Sequence, residues 1–212
     1  MALPPIHAYP MPGPDLAPNV ARWVPNRRRA ALLIHDMQRY FVDAFPAGAS
    51  PVRELIRNTA RLRTVAAELG LPVLYTMQPQ RMSVRERGLL REFWGPGMAA
   101  DPAGYPIVAD LTPAPADQVV TKWRYSAFHR TDLLERIRAA GRDQVLICGV
   151  YAHLGCLATA FDAFSHDLET FLIADAVADF DEASHAMSLR RAAEGCAVVL
   201  TTDRAVGLLR SC

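Results

Sequence analysis

Short, almost continuously apolar segments alternate with helix-like segments along most of this 212-residue chain. The apolar segments are rich in Val, Ile and Leu and cover residues 30–35, 71–77, 118–122, 144–150, 169–177 and 196–202. Runs of this kind are typical of strands that are buried on both faces of a parallel sheet. Strands that alternate with helices are joined by right-handed crossovers. The sequence therefore predicts a three-layer α/β/α, Rossmann-like fold around a six-stranded parallel sheet.

Capping signals mark the helices between these strands. A helix is predicted over residues 51–69, with Ser50 as its N-cap and a glycine as its stop. Ser83 and Glu86 have the spacing of a capping box and predict a helix over 84–93. Further helices are predicted at residues 132–140, 155–166 and 182–194.

The domain organisation is predicted to be simple. The chain shows no internal repeat and no interdomain linker, so residues 1–212 are expected to form one domain. Its first 25 residues are rich in proline, which disfavours a regular helix and predicts an extended N-terminal arm. This arm lacks the charged and apolar regions of a signal peptide, and no apolar run approaches membrane-spanning length.

Charge and cysteine usage restrict the partners. The formal net charge is only +1, and the single basic run, residues 27–29, is too short for a nucleic-acid site. We therefore expect neither nucleic acid nor membrane as a partner. The four cysteines form no CxxC pair and are interpreted as reduced thiols of a cytoplasmic protein.

Motifs for common cofactors are absent from the sequence. There is no GxGxxG after the first strand and no GxxxxGK[ST], which argues against NAD and ATP. The six histidines show neither HxH nor HExxH spacing, so no metal site is predicted.

Polar and aromatic residues follow several of the predicted strands. Asp36 and Lys122 end the first and third strands, Gln78 and Tyr151 follow the second and fourth, and Gly155 begins the next helix. The carboxyl ends of parallel strands meet at one edge of a sheet, and ligands bind there. The sequence thus predicts one site at this edge. Side-chain alternation points His35 to the opposite face from its neighbour Asp36, as a residue of the core or one that supports the site residues from behind.

Five motifs together resemble the isochorismatase branch of the isochorismatase-like hydrolases, over about residues 19–209. They are HDMQRYF, REFWGPGM, TKWRYSAFHR, GVYAHLGC and VADFDEASHAMSL. Within this family, the chain is most similar to the stand-alone enzymes of phenazine and dihydro-hydroxyanthranilate pathways. In the cysteine-hydrolase branch of the superfamily, Asp, Lys and Cys form the triad. Aligning the run ATAFDAF places that cysteine's position on Gly155, one residue before Cys156.

The resemblance implies a role for each matching residue. It assigns the catalytic acid to Asp36 and the catalytic lysine to Lys122. The substrate-binding positions that it implies are Gln78, Arg87, Trp94, Tyr125, Tyr151 and Gly155. It also implies a non-prolyl cis peptide between Val150 and Tyr151, a homodimer, and no cofactor.

The same resemblance implies hydrolysis of the vinyl ether of isochorismate or 2-amino-2-deoxyisochorismate, a small dicarboxylate. In this interpretation Asp36 protonates the substrate, and the missing side chain at Gly155 leaves room for it. Two alternatives stay open. One is an amidohydrolase that uses Cys156 as the nucleophile, and the other is a non-catalytic binding protein on the same fold.

Overall fold

The computed structural model describes residues 3–100 and 102–211. Its six strands are all parallel and lie in the order β3-β2-β1-β4-β5-β6. They are β1 (Ala30–His35), β2 (Val73–Met77), β3 (Gln118–Thr121), β4 (Gln144–Val150), β5 (Glu169–Ala178) and β6 (Val198–Leu200). The predicted fold class is confirmed.

Helices cover both faces of this sheet. They are α1 (Arg39–Val42), α2 (Val52–Leu69), α3 (Val84–Arg87), α4 (Leu90–Trp94), α5 (Leu133–Ala139), α6 (Leu157–Ser165), α7 (Glu182–Gly195) and α8 (Thr202–Ser211). Every residue of the central strands β1 and β4 is buried, because apolar side chains from helices cover them on both sides. The edge strand β3 has two exposed residues among its four.

The structure corrects three predicted boundaries. The helix expected over 84–93 is interrupted at Gly88, whose φ of 50° lies outside the helical region. The last predicted strand extended to residue 202, but the strand ends at Leu200 and an unpredicted helix, α8, follows. Ser50 is not an N-cap, since helix α2 begins at Val52 with Pro51 in the capping position.

The N-terminal arm packs against the body of the protein. Residues 3–26 contain neither helix nor strand, and Ile6 and Tyr9 are buried. Among the described residues, no helix is long and apolar enough to cross a membrane. Cys148, Cys156 and Cys196 are free and buried, while Cys212 lies outside the described residues.

Candidate active site

A cavity lies at the carboxyl ends of strands β1 to β4. All the sequence-predicted site residues line it: Asp36, Gln78, Arg87, Trp94, Lys122, Tyr125, Tyr151 and Gly155. The parallel strands bring these positions together from distant parts of the chain, as expected for this class of sheet.

Asp36 lies where β1 ends, in a backbone conformation that few side-chain-bearing residues adopt. Its φ of 49° turns it out of the strand, and its carboxylate is buried. The Thr76 hydroxyl donates to Asp36 Oδ1 at 2.6 Å and accepts from the Asp36 amide at 3.0 Å. Lys122 Nζ lies 3.0 Å from Asp36 Oδ2. The carboxylate is therefore held between a hydroxyl and an ammonium group.

The pKa of Asp36 reflects opposing influences. Burial alone would raise it, but the positive charge of Lys122, the neighbouring His35 and the Thr76 hydrogen bond bring the pKa below its usual value. Lys122 is itself 1% exposed, and it also donates to the Arg124 carbonyl at 2.6 Å. In the unliganded protein the Asp36 carboxyl group is thus ionised at neutral pH.

Gln78 joins this pair to a second cation. Its Nε2 donates to Asp36 Oδ2 at 3.3 Å, and its Oε1 accepts from Arg87 Nη1 at 3.3 Å. The side chain of Gln38 pairs with the backbone of Gln78, at 2.8 Å and 3.0 Å, and fixes its position. The side-chain amide of Gln78 therefore links the Asp36 carboxylate to the Arg87 guanidinium group through hydrogen bonds.

Arg87 is a buried guanidinium group without a carboxylate partner in the described part of the chain. It donates to the carbonyls of Gly95 and Trp94 at 3.0 Å and 3.5 Å, besides Gln78. Burial lowers its pKa. A buried cation whose partners are all neutral is a suitable binding group for an anionic ligand.

Aromatic rings form the remaining walls. The indole of Trp94 donates to the Tyr125 hydroxyl at 2.7 Å, which closes one side of the cavity. Tyr151 packs on Phe180, with 4.4 Å between ring centroids. Its hydroxyl donates to the Phe41 carbonyl at 2.8 Å. Tyr151 therefore presents a fixed ring to the cavity, with its hydroxyl already hydrogen-bonded.

The loop after β4 places Gly155 against the cavity and Cys156 away from it. Cys156 is buried in the apolar core on the other side of the loop, and burial raises the pKa of its thiol well above the ordinary value. The peptide between Val150 and Tyr151 is cis, which confirms that prediction. The space at Gly155 is not open, however, since a Cβ built there would overlap the ring of His35.

Sequence reasoning missed several lining residues. These are Leu3, His35, Tyr40, Phe41, Leu90, Val150, Leu154 and Phe180. His35 was expected to face away from Asp36, but its Nδ1 lies 4.0 Å from Asp36 Oδ1. Strand alternation fails here because the positive φ of Asp36 ends the strand. Tyr40 and Phe41 belong to the motif HDMQRYF, and Phe180 belongs to VADFDEASHAMSL, so the motifs could have pointed to these three residues. No sequence signal pointed to Leu3.

Leu3 reaches the cavity because the arm is anchored beside it. The Tyr9 hydroxyl accepts from the Asp179 amide at 2.7 Å and lies 3.2 Å from His185 Nδ1. The buried Asp179 carboxylate in turn accepts from the backbone amide of His153 at 2.6 Å. Within residues 3–100 and 102–211, no group of three His, Cys, Asp or Glu side chains could hold a metal ion.

Comparisons with known proteins find relatives along most of the chain. The family model described as "Isochorismatase domain" matches residues 30–204. Phenazine biosynthesis protein PhzD1 of Pseudomonas aeruginosa is 53% identical, over 95% of this chain and 97% of its own length. The isochorismatase of Bacillus subtilis is 50% identical over the whole chain, which spans 68% of that relative.

A solved structure extends the comparison to the fold. The cysteine hydrolase from Pseudomonas syringae pv. phaseolicola superimposes with a TM-score of 0.82 at 25% identity, over 92% of this chain and 98% of that one. The match of the family model to most of the chain, together with the two close relatives, shows that the chain belongs to the isochorismatase family.

Proposed function

We propose that this protein hydrolyses the enolpyruvyl ether of isochorismate or of 2-amino-2-deoxyisochorismate. The products are pyruvate and either 2,3-dihydro-2,3-dihydroxybenzoate or trans-2,3-dihydro-3-hydroxyanthranilate. The relatives named for phenazine biosynthesis and as isochorismatase support this reaction. The observation that carries it is the buried Asp36–Lys122 pair, which shares a cavity with the buried, carboxylate-free Arg87.

In this mechanism Asp36 is a general acid. Its proton passes to the terminal vinyl carbon of the substrate, and an oxocarbenium ion forms at the ether carbon. Water adds to that carbon and returns a proton to the carboxylate. The resulting hemiketal then collapses, which releases pyruvate and the ring alcohol. No covalent bond to the protein is formed, so the reaction needs no nucleophile at position 155.

Asp36 must be protonated to act as a general acid, but the unliganded site favours its ionised form. An ordinary aspartic acid is protonated in only about one molecule in a thousand at pH 7, a deficit of roughly 4 kcal/mol. The position of Lys122 makes protonation of Asp36 harder still. We propose that the two substrate carboxylates occupy Arg87 and Lys122 and, through their negative charge, raise the pKa of Asp36.

This proposal predicts two different pH profiles. The profile of kcat/KM reports the free enzyme, in which the pKa of Asp36 is lowered, so it should fall with rising pH from the acidic range. The profile of kcat reports the bound state and should begin to fall at a higher pH. Steady-state kinetics between pH 4 and 9 would check this, and superimposable profiles would contradict the role of substrate charge.

The experiment that tests the function is a pyruvate-release assay coupled to lactate dehydrogenase, with both substrates side by side. Release from either substrate supports the proposal, and the ratio of kcat/KM values distinguishes them. If folded protein binds both compounds but releases no pyruvate, the protein is a binding protein rather than an ether hydrolase.

A cysteine-dependent amidohydrolase is the second candidate, because Cys156 adjoins the cavity-lining Gly155. The burial of Cys156 in the core argues against it. We predict that Cys156→Ala retains kcat within about threefold, since volume loss in the core affects mainly stability. A Cys156→Ala variant that folds, as judged by circular dichroism, and yet has no activity would instead favour the thiol mechanism.

We also propose that the protein acts as a cytoplasmic homodimer without a cofactor. The resemblance to the family is the basis for this assembly. Sedimentation equilibrium on the purified chain would test it, and a monomer at micromolar concentration would exclude a stable dimer.

A further inference from the structure

His35 lies against two glycines of the neighbouring segment, Gly149 through its backbone and Gly155 through its ring. Gly149 pairs with His35 across the sheet, and a Cβ on Gly149 would come 2.8 Å from the His35 backbone nitrogen. A Cβ on Gly155 would overlap the His35 ring at Cε1 and lie 2.9 Å from Nε2. The volume that a side chain at position 155 would need is therefore already occupied by an imidazole.

The backbone of Gly155 does not itself require glycine. Gly149 has a φ of 116°, which other residues rarely adopt, whereas the φ of Gly155 lies outside the left-handed region. Residue 155 belongs to a π-helical turn, Ala152–Cys156, that an L-residue with a Cβ can join. The steric constraint on position 155 thus comes from His35.

The imidazole has a defined protonation state. Its Nδ1 lies 2.8 Å from the Val150 carbonyl oxygen, which can only accept, so Nδ1 carries the hydrogen. Burial lowers the pKa of His35 to about 4. The charge of Asp36 acts to raise this pKa, and the charge of Lys122 acts to lower it. The ring is therefore neutral at pH 7, and Nε2 is an acceptor.

This acceptor is buried and unpaired. Nε2 makes no hydrogen bond to the described residues, although the Tyr125 carbonyl lies near the ring. An unpaired buried acceptor costs free energy that an aliphatic side chain of similar size would avoid. What the imidazole supplies beyond volume is the hydrogen bond from Nδ1 to the Val150 carbonyl, which holds the start of the loop that carries Tyr151 and Gly155.

We infer that His35 is a positioning residue of this site: its ring excludes a side chain at position 155, and its Nδ1–H holds the loop from Val150 to Gly155 against the cavity. The steric part of this inference stands on geometry alone. The part that concerns turnover rests on the proposed ether hydrolysis, and the two parts are tested by separate measurements.

The steric part is tested by a double-mutant cycle on unfolding in urea. Gly155→Ala should raise the unfolding equilibrium constant at least about tenfold in the wild-type background, and much less in a His35→Ala background. Gly207→Ala is the matched control: a Cβ at Gly207 meets nothing within 4 Å, and because Ala favours a helix over Gly, this change within α8 should lower the unfolding equilibrium constant up to about fivefold and not raise it. If Gly155→Ala does not fold, folding of the double variant Gly155→Ala, His35→Ala would also show that the His35 ring excludes a side chain at position 155.

The positioning part is tested by kinetics on two variants. His35→Leu keeps the volume and removes the donor, whereas His35→Asn keeps an N–H near the position of Nδ1. We expect kcat/KM to fall at least about tenfold in His35→Leu, because the loop that loses this hydrogen bond carries the proposed substrate-binding positions Tyr151 and Gly155. His35→Asn should recover most of that loss. A residue that only fills space would give the opposite order.

Either result can overturn the inference. Equal effects of Gly155→Ala in both backgrounds would remove the steric part. A wild-type kcat/KM in His35→Leu would remove the positioning part. If wild-type protein itself releases no pyruvate, the proposed function fails, and the unfolding cycle still decides whether His35 excludes a side chain at position 155.

Discussion

Asp36→Asn is expected to abolish pyruvate release, with kcat reduced by about a thousandfold or more, while substrate binding changes little. Asparagine has the shape of aspartate and can still accept the Thr76 hydroxyl proton that now reaches Oδ1 at 2.6 Å. It cannot deliver a proton to carbon. Rapid-mixing kinetics for turnover and calorimetric titration for binding would measure the two effects separately.

Asp43→Asn is the matched control for this substitution. Asp43 is an exposed carboxylate that pairs with Arg39 one helical turn away, and its loss should leave kcat unchanged. The unfolding midpoint of Asp36→Asn should also be recorded, because the buried Lys122 loses its counter-charge. A folded Asp36→Asn protein with substantial turnover would show that Asp36 is not the acid.

Arg87→Met is expected to raise KM by about ten- to a hundredfold and to change kcat less. Methionine fills much of the same space but removes the buried positive charge that we propose binds a substrate carboxylate. Arg87→Lys should recover only part of the affinity, because a point charge cannot reproduce the planar fork. Initial rates over a wide substrate range would separate the two constants.

Two neighbouring arginines provide the control. Arg85 and Arg91 lie in the same stretch of sequence but are exposed to solvent, whereas Arg87 is 6% exposed. Arg85→Met and Arg91→Met should leave KM within about twofold, as surface substitutions usually do. A KM rise as large in these variants as in Arg87→Met would point to a general effect of surface charge on substrate approach.

The pattern of apolar segments was sufficient to predict the sheet and the edge at which the site lies. Strands that are buried on both faces have a distinctive composition, and parallel pairing brings their carboxyl ends together without any further information. On this basis Asp36, Gln78 and Lys122 could be assigned to one site from the sequence alone. Arg87 could not be chosen over Arg85 and Arg91 by spacing, because only the fold shows which of the three is buried.

Local signals were weakest where the chain departs from regular geometry. Gly88 interrupts a predicted helix and allows the segment to turn so that Arg87 enters the cavity. The positive φ of Asp36 brings its carboxylate and the His35 ring into the same cavity, against the strand pattern. Propensity and periodicity describe regular elements, so they contain no information about such single-residue exceptions.

The sequence alone determined the order of the six strands along the chain, the polar residues at the strand ends, and the absence of a thiol at position 155. Those features depend on local hydrophobic patterning and residue identity, which the chain carries in every conformation. Only the tertiary structure decided that Arg87 is the buried cation, that the arm brings Leu3 to the cavity, and that the His35 ring occupies the space beside Gly155. These are contacts between segments far apart in sequence, and they form only when the helices have packed on the two faces of the sheet.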